Sequence, residues 1–427
     1  MNIKRYFSTI CITFALFPIG QISAQDTTKD NHSRLTIGGY GEAVYSRHFY
    51  SDNVFRYSHA DRYAESKGYS RVDLPHAVIN LGYDFGYGWT FGTEIEFEHG
   101  GFEGAVEKET EETGEFEQEI ERGGEVALEQ FWLQKSFGRH LNIRAGHIVV
   151  PVGMTNYSHL PNQFFTIYRP EGENTIMPCT WHETGISLWG RAGQWRYEVQ
   201  LLPGLNSNLF NDEKWVHNGS ASPYEFRPAN TLATAARIDY TGVPGLRLSL
   251  SGYVGNSFNN DIVTDERSRY AEVKGTVLIG AFDFLYRNRY LTLRGNADYG
   301  FLGDASLISS HNKNQTTMTG NPYPHTTVGQ AAWDAALEAG VNLLAWRNTT
   351  HRLYLFGRYD HYDSFVPADG QVDVGWCEKQ VFSAGVNYYP LPEIAIKAEA
   401  GMRLMGEQYN NEPYMAIGIT WAGFFKR

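Results

Sequence analysis

The chain has 427 residues, a formal net charge of −12 and 15% aromatic residues, with 27 Tyr, 44 Gly and three Cys. So acidic a chain repels a phosphate backbone, which excludes nucleic acid as a partner class. Past residue 24 it holds no run of the roughly eighteen apolar residues that a helix needs to cross hydrocarbon, and its strand-forming aromatics and turn-forming glycines favour an all-β protein.

Residues 1–24 have the layout of a secretory signal peptide: Lys4 and Arg5, an apolar stretch from Ile10 to Ile19, then Ser23-Ala24 before Gln25. Cys11 falls too early in that stretch for a lipoprotein signal. Removing the signal takes away two positive charges and moves the net charge from −12 to −14. A short segment, 25–34, is expected to lie on the periplasmic side and lead into the first strand at Leu35.

From there the hydrophobic pattern has a period of two, which puts alternate side chains on opposite faces of a strand. Ala77, Ile79, Leu81, Tyr83 and Phe85 oppose His76, Asn80 and Asp84. In the clearest case Trp89, Phe91, Thr93, Ile95 and Phe97 alternate with Thr90, Gly92, Glu94, Glu96 and Glu98. The run Glu103 to Glu125 follows, with ten Glu against Lys108 and Arg122. Such a run reads as a solvated loop extended by its own repulsion, ahead of a cation-concentrating vestibule or a divalent bridge to lipopolysaccharide.

Further along, Leu141, Ile143 and Ala145 oppose Asn142 and Arg144, and Trp195, Tyr197, Val199 and Leu201 oppose Arg196, Glu198 and Gln200. Arg237 and Asp239 lie in Ala233–Tyr240, which alternates poorly, as does Thr276–Tyr286. Leu291, Leu293 and Ala297 oppose Thr292, Arg294, Asn296 and Asp298; Arg358 and Asp360 share a phase; Ile394, Ile396, Ala398, Ala400 and Met402 oppose Lys397, Glu399 and Arg403. The last strand carries Tyr414, Met415, Ile417, Ile419, Trp421 and Phe425 before Lys426-Arg427. It resembles the aromatic-rich terminal strand read by the outer-membrane assembly machinery.

Periodicity does not say which face is wet; the connections do. Tight turns fall near 85–88, 136–140, 190–194, 241–245, 287–289, 346–351 and 389–393, and longer connections near 50–71, 100–125, 151–182, 203–231, 255–272, 300–331, 363–378 and 406–412. Strict alternation of short and long links is expected of strands that thread a membrane up and down, with short turns in the periplasm and long loops outside. The expected fold is therefore a transmembrane antiparallel up-and-down β-barrel over 35–427, with about sixteen strands from Leu35–Tyr45 to Tyr414–Phe425. Lipid offers no hydrogen bonds, so the barrel must close. At that strand number its interior is too wide for side chains to fill and holds water. The lumen lining is then Glu94, Glu96, Arg144, Arg196, Glu198, Arg237, Asp239, Arg294, Asp298, Arg358, Lys397 and Arg403. With both signs on one phase, these residues predict ion pairs or a mixed transverse field and weak selectivity.

Arg144-Ala145-Gly146-His147-Ile148-Val149-Val150-Pro151-Val152-Gly153, the exit strand Glu183-Thr184-Gly185-Ile186 and the opening Gly38-Gly39-Tyr40-Gly41 resemble the phosphate-selective porin O and porin P family. The resemblance implies a sixteen-stranded barrel, often a homotrimer, whose third long loop folds into the lumen, with arginines down the lumen and lysines near the constriction. This chain has 11 Lys and none between Lys135 and Lys214, which weighs against phosphate selectivity. Within that loop and at its exit, Tyr168, Arg169, Glu171, Glu173, Asn174, Trp181 and His182 form the expected pore constriction, with Arg169 paired to Glu171 or Glu173.

The function these features predict is an outer-membrane porin, in contact with membrane lipid and lipopolysaccharide, that passes small hydrophilic solutes or ions, anions such as phosphate among them. The alternatives are a barrel supporting surface binding or adhesion, and a barrel-embedded enzyme. No enzyme activity or cofactor is expected, since His182 and Glu183 point to opposite faces, and neither a His-x-x-x-His pattern nor a Gly-x-Ser-x-Gly elbow occurs. Cys179 and Cys377 fall in the third and seventh long loops, where an exported protein could bridge them.

Overall fold

A computed structural model describes residues 34–99, 105–108, 118–121, 126–222, 224–314 and 326–426. Residues 1–24, expected to be a signal peptide, nearly all of the segment 25–34 and most of the acidic run Glu103 to Glu125 lie outside the described residues. Within that run only the backbone pairing of Ala105–Lys108 with Gln118–Glu121, a short hairpin, is described.

Sixteen strands form one antiparallel barrel: β1 Leu35–His48, β2 Tyr69–Asp73 continued by His76–Gly86, β3 Trp89–Glu98, β4 Val126–Ser136, β5 Asn142–Val149, β6 His182–Ala192, β7 Trp195–Pro203 and β8 Leu232–Tyr240. The second half is β9 Leu246–Asn256, β10 Thr276–Arg287, β11 Leu291–Leu302, β12 Ala331–Asn342, β13 Arg352–Val366, β14 Glu378–Leu391, β15 Ile394–Leu404 and β16 Glu412–Lys426. Each strand pairs with its sequence neighbours, and β1 closes the cylinder on β16 in the register Tyr40↔Ala422, Glu42↔Thr420 and Tyr45↔Ile417. The break in β2 falls at Leu74-Pro75, where proline has no N–H to give the ladder; both pieces still pair with β1. Closure leaves no unpaired edge, as a strand-built structure in hydrocarbon requires. Short and long connections alternate, although the turn 343–351 is longer than the outer loop 405–411.

Exposure along the strands decides which face is outside. Leu201, Leu250 and Ile417 are 50%, 59% and 57% exposed, while Glu94, Arg294 and Lys397 are 1%, 2% and 1% exposed. Apolar residues point out and charged residues point in, the reverse of a soluble sandwich. Around the short-turn end Phe85, Tyr87, Trp89, Phe137, Trp195, Tyr290 and Trp346 are exposed, an aromatic girdle at one rim.

The two segments that alternate poorly in hydropathy, Ala233–Tyr240 and Thr276–Tyr286, alternate strictly in burial. Their inward residues, Ala233, Ala235, Val277, Ile279 and Ala281, are apolar because they face no water: they pack in an interior cluster with Trp181, Leu205, Phe210, Trp215 and Ile308. These partners come from the connections 150–181 and 204–231 and from a helix, α1, Ala305–Lys313. The barrel wall at the long-loop end of β5 to β12 is thus lined by an apolar core built from inward-folded connections.

Candidate functional site

The segment 150–181 enters the lumen through a tied neck. Val150 N–H donates to the Trp181 carbonyl at 2.9 Å, and the Asn156 amide bonds Val150 and Trp181 on either side of it. Gly153 sits at φ +81°, and a Cβ there would overlap a Glu173 carboxylate oxygen, so the turn into the lumen requires glycine. A one-turn helix, Met154–Tyr157, follows and places the Tyr157 ring 4.2 Å from the Arg237 guanidinium carbon and 5.3 Å from that of Arg247.

The loop then crosses to the opposite wall, held strand by strand through backbone groups that water would otherwise satisfy. Arg294 of β11 donates to the Gln163 carbonyl at 2.8 Å, and Glu338 of β12 accepts from Phe165 N–H at 3.3 Å. Asn387 of β14 donates to the Phe165 carbonyl at 2.9 Å, while Glu399 of β15 accepts from Ile167 N–H at 3.1 Å. Lys397 is the centre of this arrangement. Its ammonium donates to the carbonyls of Pro161, Phe164 and Thr166, filling all three donors, and lies 4.6 Å from the Phe164 ring centroid. A lysine this deeply buried is tolerated only because every proton has a partner. Ile167 packs with Val44 of β1 and Ala416 of β16.

Returning, the short helix Glu171–Ile176 presents Glu171 to Arg403, whose Nε lies 2.7 and 2.8 Å from the two carboxylate oxygens, and to the Tyr362 hydroxyl at 2.7 Å. Burial would raise the Glu171 carboxyl; the Arg403 charge overrides it and holds it below the ordinary value. Glu173 accepts from Thr155 N–H at 2.8 Å, and its burial pushes its carboxyl up.

Several expected positions therefore need correcting. Arg169 pairs with neither Glu171 nor Glu173, because Glu171 is taken by Arg403 and Glu173 by the start of the loop's first helix. Instead Arg169 lies among Tyr40, Cys179, Glu129 and Glu96; burial opposes its charge and these neighbours outweigh it, holding it above the ordinary value. Trp181, 1% exposed, is an anchor within the apolar cluster and not a rim residue. His182 shares a strand phase with the exposed Ile186 and Leu188 and meets His147 at 2.6 Å, so it faces away from the lumen. Tyr168 lies half-buried 4.8 Å from the Arg71 guanidinium, and Asn174 is half-buried with its backbone against His217.

Cys179 and Cys377 do not form a bridge; both are free. The Cys377 thiol donates to the Asp212 carbonyl at 3.3 Å, while Cys179 sits beside Arg169 with its thiol pushed up to about 12 by burial.

The lumen residues read from the strands sit on the inward phase and are largely paired with one another. Arg237 bridges Asp239 at 2.8 Å and Asp283 at 2.7 Å, Arg358 bonds Asp360 at 2.6 Å, and Arg196 contacts Glu198 and Asp239. Arg144 stacks 4.4 Å over Trp132, and Asp298 accepts from Asn296 at 2.6 Å. Sequence reasoning missed Glu129. In the pairing of β3 with β4 the register steps from Glu94↔Gln130 to Ile95↔Leu128, so Glu129 is the extra residue of a β-bulge. The bulge turns Glu129 and Gln130 together onto the inward face, where both are buried, and no simple alternation could signal that. His159 of the inward loop meets this pair: its ring and the carboxylates of Glu94 and Glu129 offer atoms within 4.8 Å of one another. Burial lowers the His159 ring to about 4, so it is neutral at pH 7.

No protein-family model matches the chain. A curated protein of Aquifex aeolicus (strain VF5), described as an uncharacterized protein, is 27% identical over 397 residues, covering 91% of this chain and 79% of that one. Among solved structures, Salmonella typhi OmpF in complex with daunomycin is 12% identical over 91% of this chain and 97% of its own, with a TM-score of 0.52. Pseudomonas putida OprB is 9% identical, covers 92% and 94%, and has a TM-score of 0.52. The outer membrane channel DcaP of Acinetobacter baumannii is 13% identical, covers 91% and 97%, and has a TM-score of 0.50. At these identities the likeness concerns the fold: this chain is a closed sixteen-strand antiparallel barrel of the architecture found in outer-membrane channel proteins.

Proposed function

We propose that the protein is exported, inserts in the outer membrane and acts there as a porin for passive diffusion of small hydrophilic solutes. The observation that carries this reading is a closed cylinder with apolar residues outside and charged residues inside, narrowed by one loop tied to the wall through buried ionic groups. A barrel built only to display surface loops has no need of such a lumen. The solved structures of like fold, among them the channel DcaP, support the same reading.

The finer expectation, preference for anions such as phosphate, would require cations free to meet the solute. Around the loop Arg237, Arg358 and Arg403 already face carboxylates, and Lys397 is consumed by carbonyls. We therefore propose weak charge selectivity, with anions passing by size and not by capture. A homotrimer is the assembly that the family resemblance implies. Liposomes carrying the purified protein should swell in isotonic solutions of small uncharged sugars, at rates falling with sugar size. Swelling no faster than that of protein-free liposomes would reject the porin reading.

A further inference from the structure

The wall formed by β1 to β4 carries a group of ligands that the diffusion pathway does not account for. One ring nitrogen of His159 and one carboxylate oxygen each from Glu94 and Glu129 lie within 4.8 Å of one another, and all three residues are more than nine-tenths buried. Each is oriented by a neighbour. His159 Nδ1 lies 2.9 Å from the Asn156 carbonyl, which can only accept, so the ring proton is on Nδ1 and Nε2 presents its lone pair. Glu94 is held through Oε2 by the Gln130 amide. Glu129 accepts from the Thr180 hydroxyl at 2.8 Å and the Tyr40 hydroxyl at 3.2 Å.

What these partners leave over is the telling part. His159 Nε2 and Glu94 Oε1 are buried and have no hydrogen-bond partner, and Glu96 Oε1 beside them has none either. Acceptors without donors in a low-dielectric interior carry a full desolvation penalty. Three carboxylates, Glu94, Glu96 and Glu129, face one guanidinium, Arg169, so the fully ionised group carries two uncompensated negative charges. A neutral imidazole with its other nitrogen on a carbonyl, and carboxylates held by outer hydrogen bonds, is the pattern by which proteins fix ligands for a divalent metal.

We propose that Glu94, Glu129 and His159 bind one divalent cation of the zinc class, with Gln130, Thr180, Tyr40 and the Asn156 carbonyl as its outer shell. The mixed nitrogen and oxygen set suits zinc or cobalt more than calcium or magnesium, which take oxygen alone. Two ligands belong to the wall and one to the inward loop, so the ion pins the loop to β3 and β4. Lys397 and Arg403 do the same on β15. The rival occupant is protons on the carboxylates, which would need no metal.

The test is metal binding by the purified, detergent-solubilised full chain after chelator treatment, followed by equilibrium dialysis against Zn²⁺ and by visible absorption with Co²⁺. The expected result is one saturable equivalent and a Co²⁺ spectrum of mixed nitrogen and oxygen ligation. His159→Gln and Glu94→Gln should abolish the spectrum, and Gln130→Ala should weaken binding by about 10- to 100-fold. His76→Gln, which alters the neighbouring His76, Glu96 and Glu98 group, should leave it intact. No saturable equivalent in the wild-type protein overturns the proposal and indicates the protonated rival, and that reading does not depend on any variant folding. A spectrum lost in His76→Gln but kept in His159→Gln overturns it as well. Because the readout is metal binding, failure here leaves the porin reading standing, and failure of swelling leaves the metal site standing.

Discussion

The lumen is filled in two different ways on its two sides. Against β5 to β12, at the long-loop end, the inward connections meet the wall with Trp181, Phe210, Trp215, Val216 and Ile308, all at 1% exposure or less. Against β11 to β15, the same loop meets the wall through Arg294, Glu338, Asn387, Lys397, Glu399 and Arg403, bonding mainly to backbone groups. The first contact is non-directional and tolerates small shifts, whereas the second fixes the loop at named atoms. The apolar side holds the inward connections by packing, and the ionic side fixes the position of the crossing loop.

If that division is right, substitutions on the ionic side should move conduction and those on the apolar side should move stability alone. The largest effect is expected for Lys397→Met, which leaves three buried carbonyls without donors. Breaking a buried charged contact costs about 3–5 kcal/mol, so the crossing segment should detach, with larger and noisier conductance steps in planar bilayers. Unchanged steps would show that the loop is held elsewhere.

Next comes a pH effect on the apolar side. Burial lowers the His217 ring from 6.5 to about 4. Above pH 6.5 both folded and unfolded states are neutral and the full stability is present. As pH falls from 6.5 toward 4 the unfolded chain takes up a proton that the folded chain refuses, so stability is lost, on the order of 3 kcal/mol by the lower end. His217→Asn should flatten the dependence of thermal stability on pH over that window. A slope equal to that of the wild type would remove His217 from the account.

Ile308→Val should cost only about 0.5–1.5 kcal/mol, visible as a lower melting temperature with unaltered conductance. A change in conductance here would erase the distinction between the two sides. Smallest of all, reductant should leave the melting temperature unchanged, and the unreduced, denatured protein lacking residues 1–24, and with them Cys11, should titrate two thiols. A count of zero would restore the bridge.

The same comparison explains what could be read from the amino acids alone. Barrel closure, strand number and the direction of each face followed from the period-two pattern and the loop lengths, because both express an apolar exterior and a polar interior. The pattern weakened at Ala233–Tyr240 and Thr276–Tyr286, where the inward connections 150–181 and 204–231 supply Trp181, Phe210 and Trp215 to the inner face. Hydropathy along a strand records what it faces, and these strands face another part of the chain. The lumen arginines and acids were legible one by one, but their partners were not. Glu171 is 232 residues from Arg403, and Arg169 found its acids on β3 and β4. Glu129 was hidden by a bulge that shifts the phase of its strand by one.

The claim on which the rest stands is that the cylinder encloses a continuous water path past the tied loop. Single-channel recording of the purified protein in a planar lipid bilayer tests it most directly. Stable, stepwise ion currents with a small reversal potential in a salt gradient are the predicted result. A protein that inserts as a folded barrel yet carries no current would contradict it.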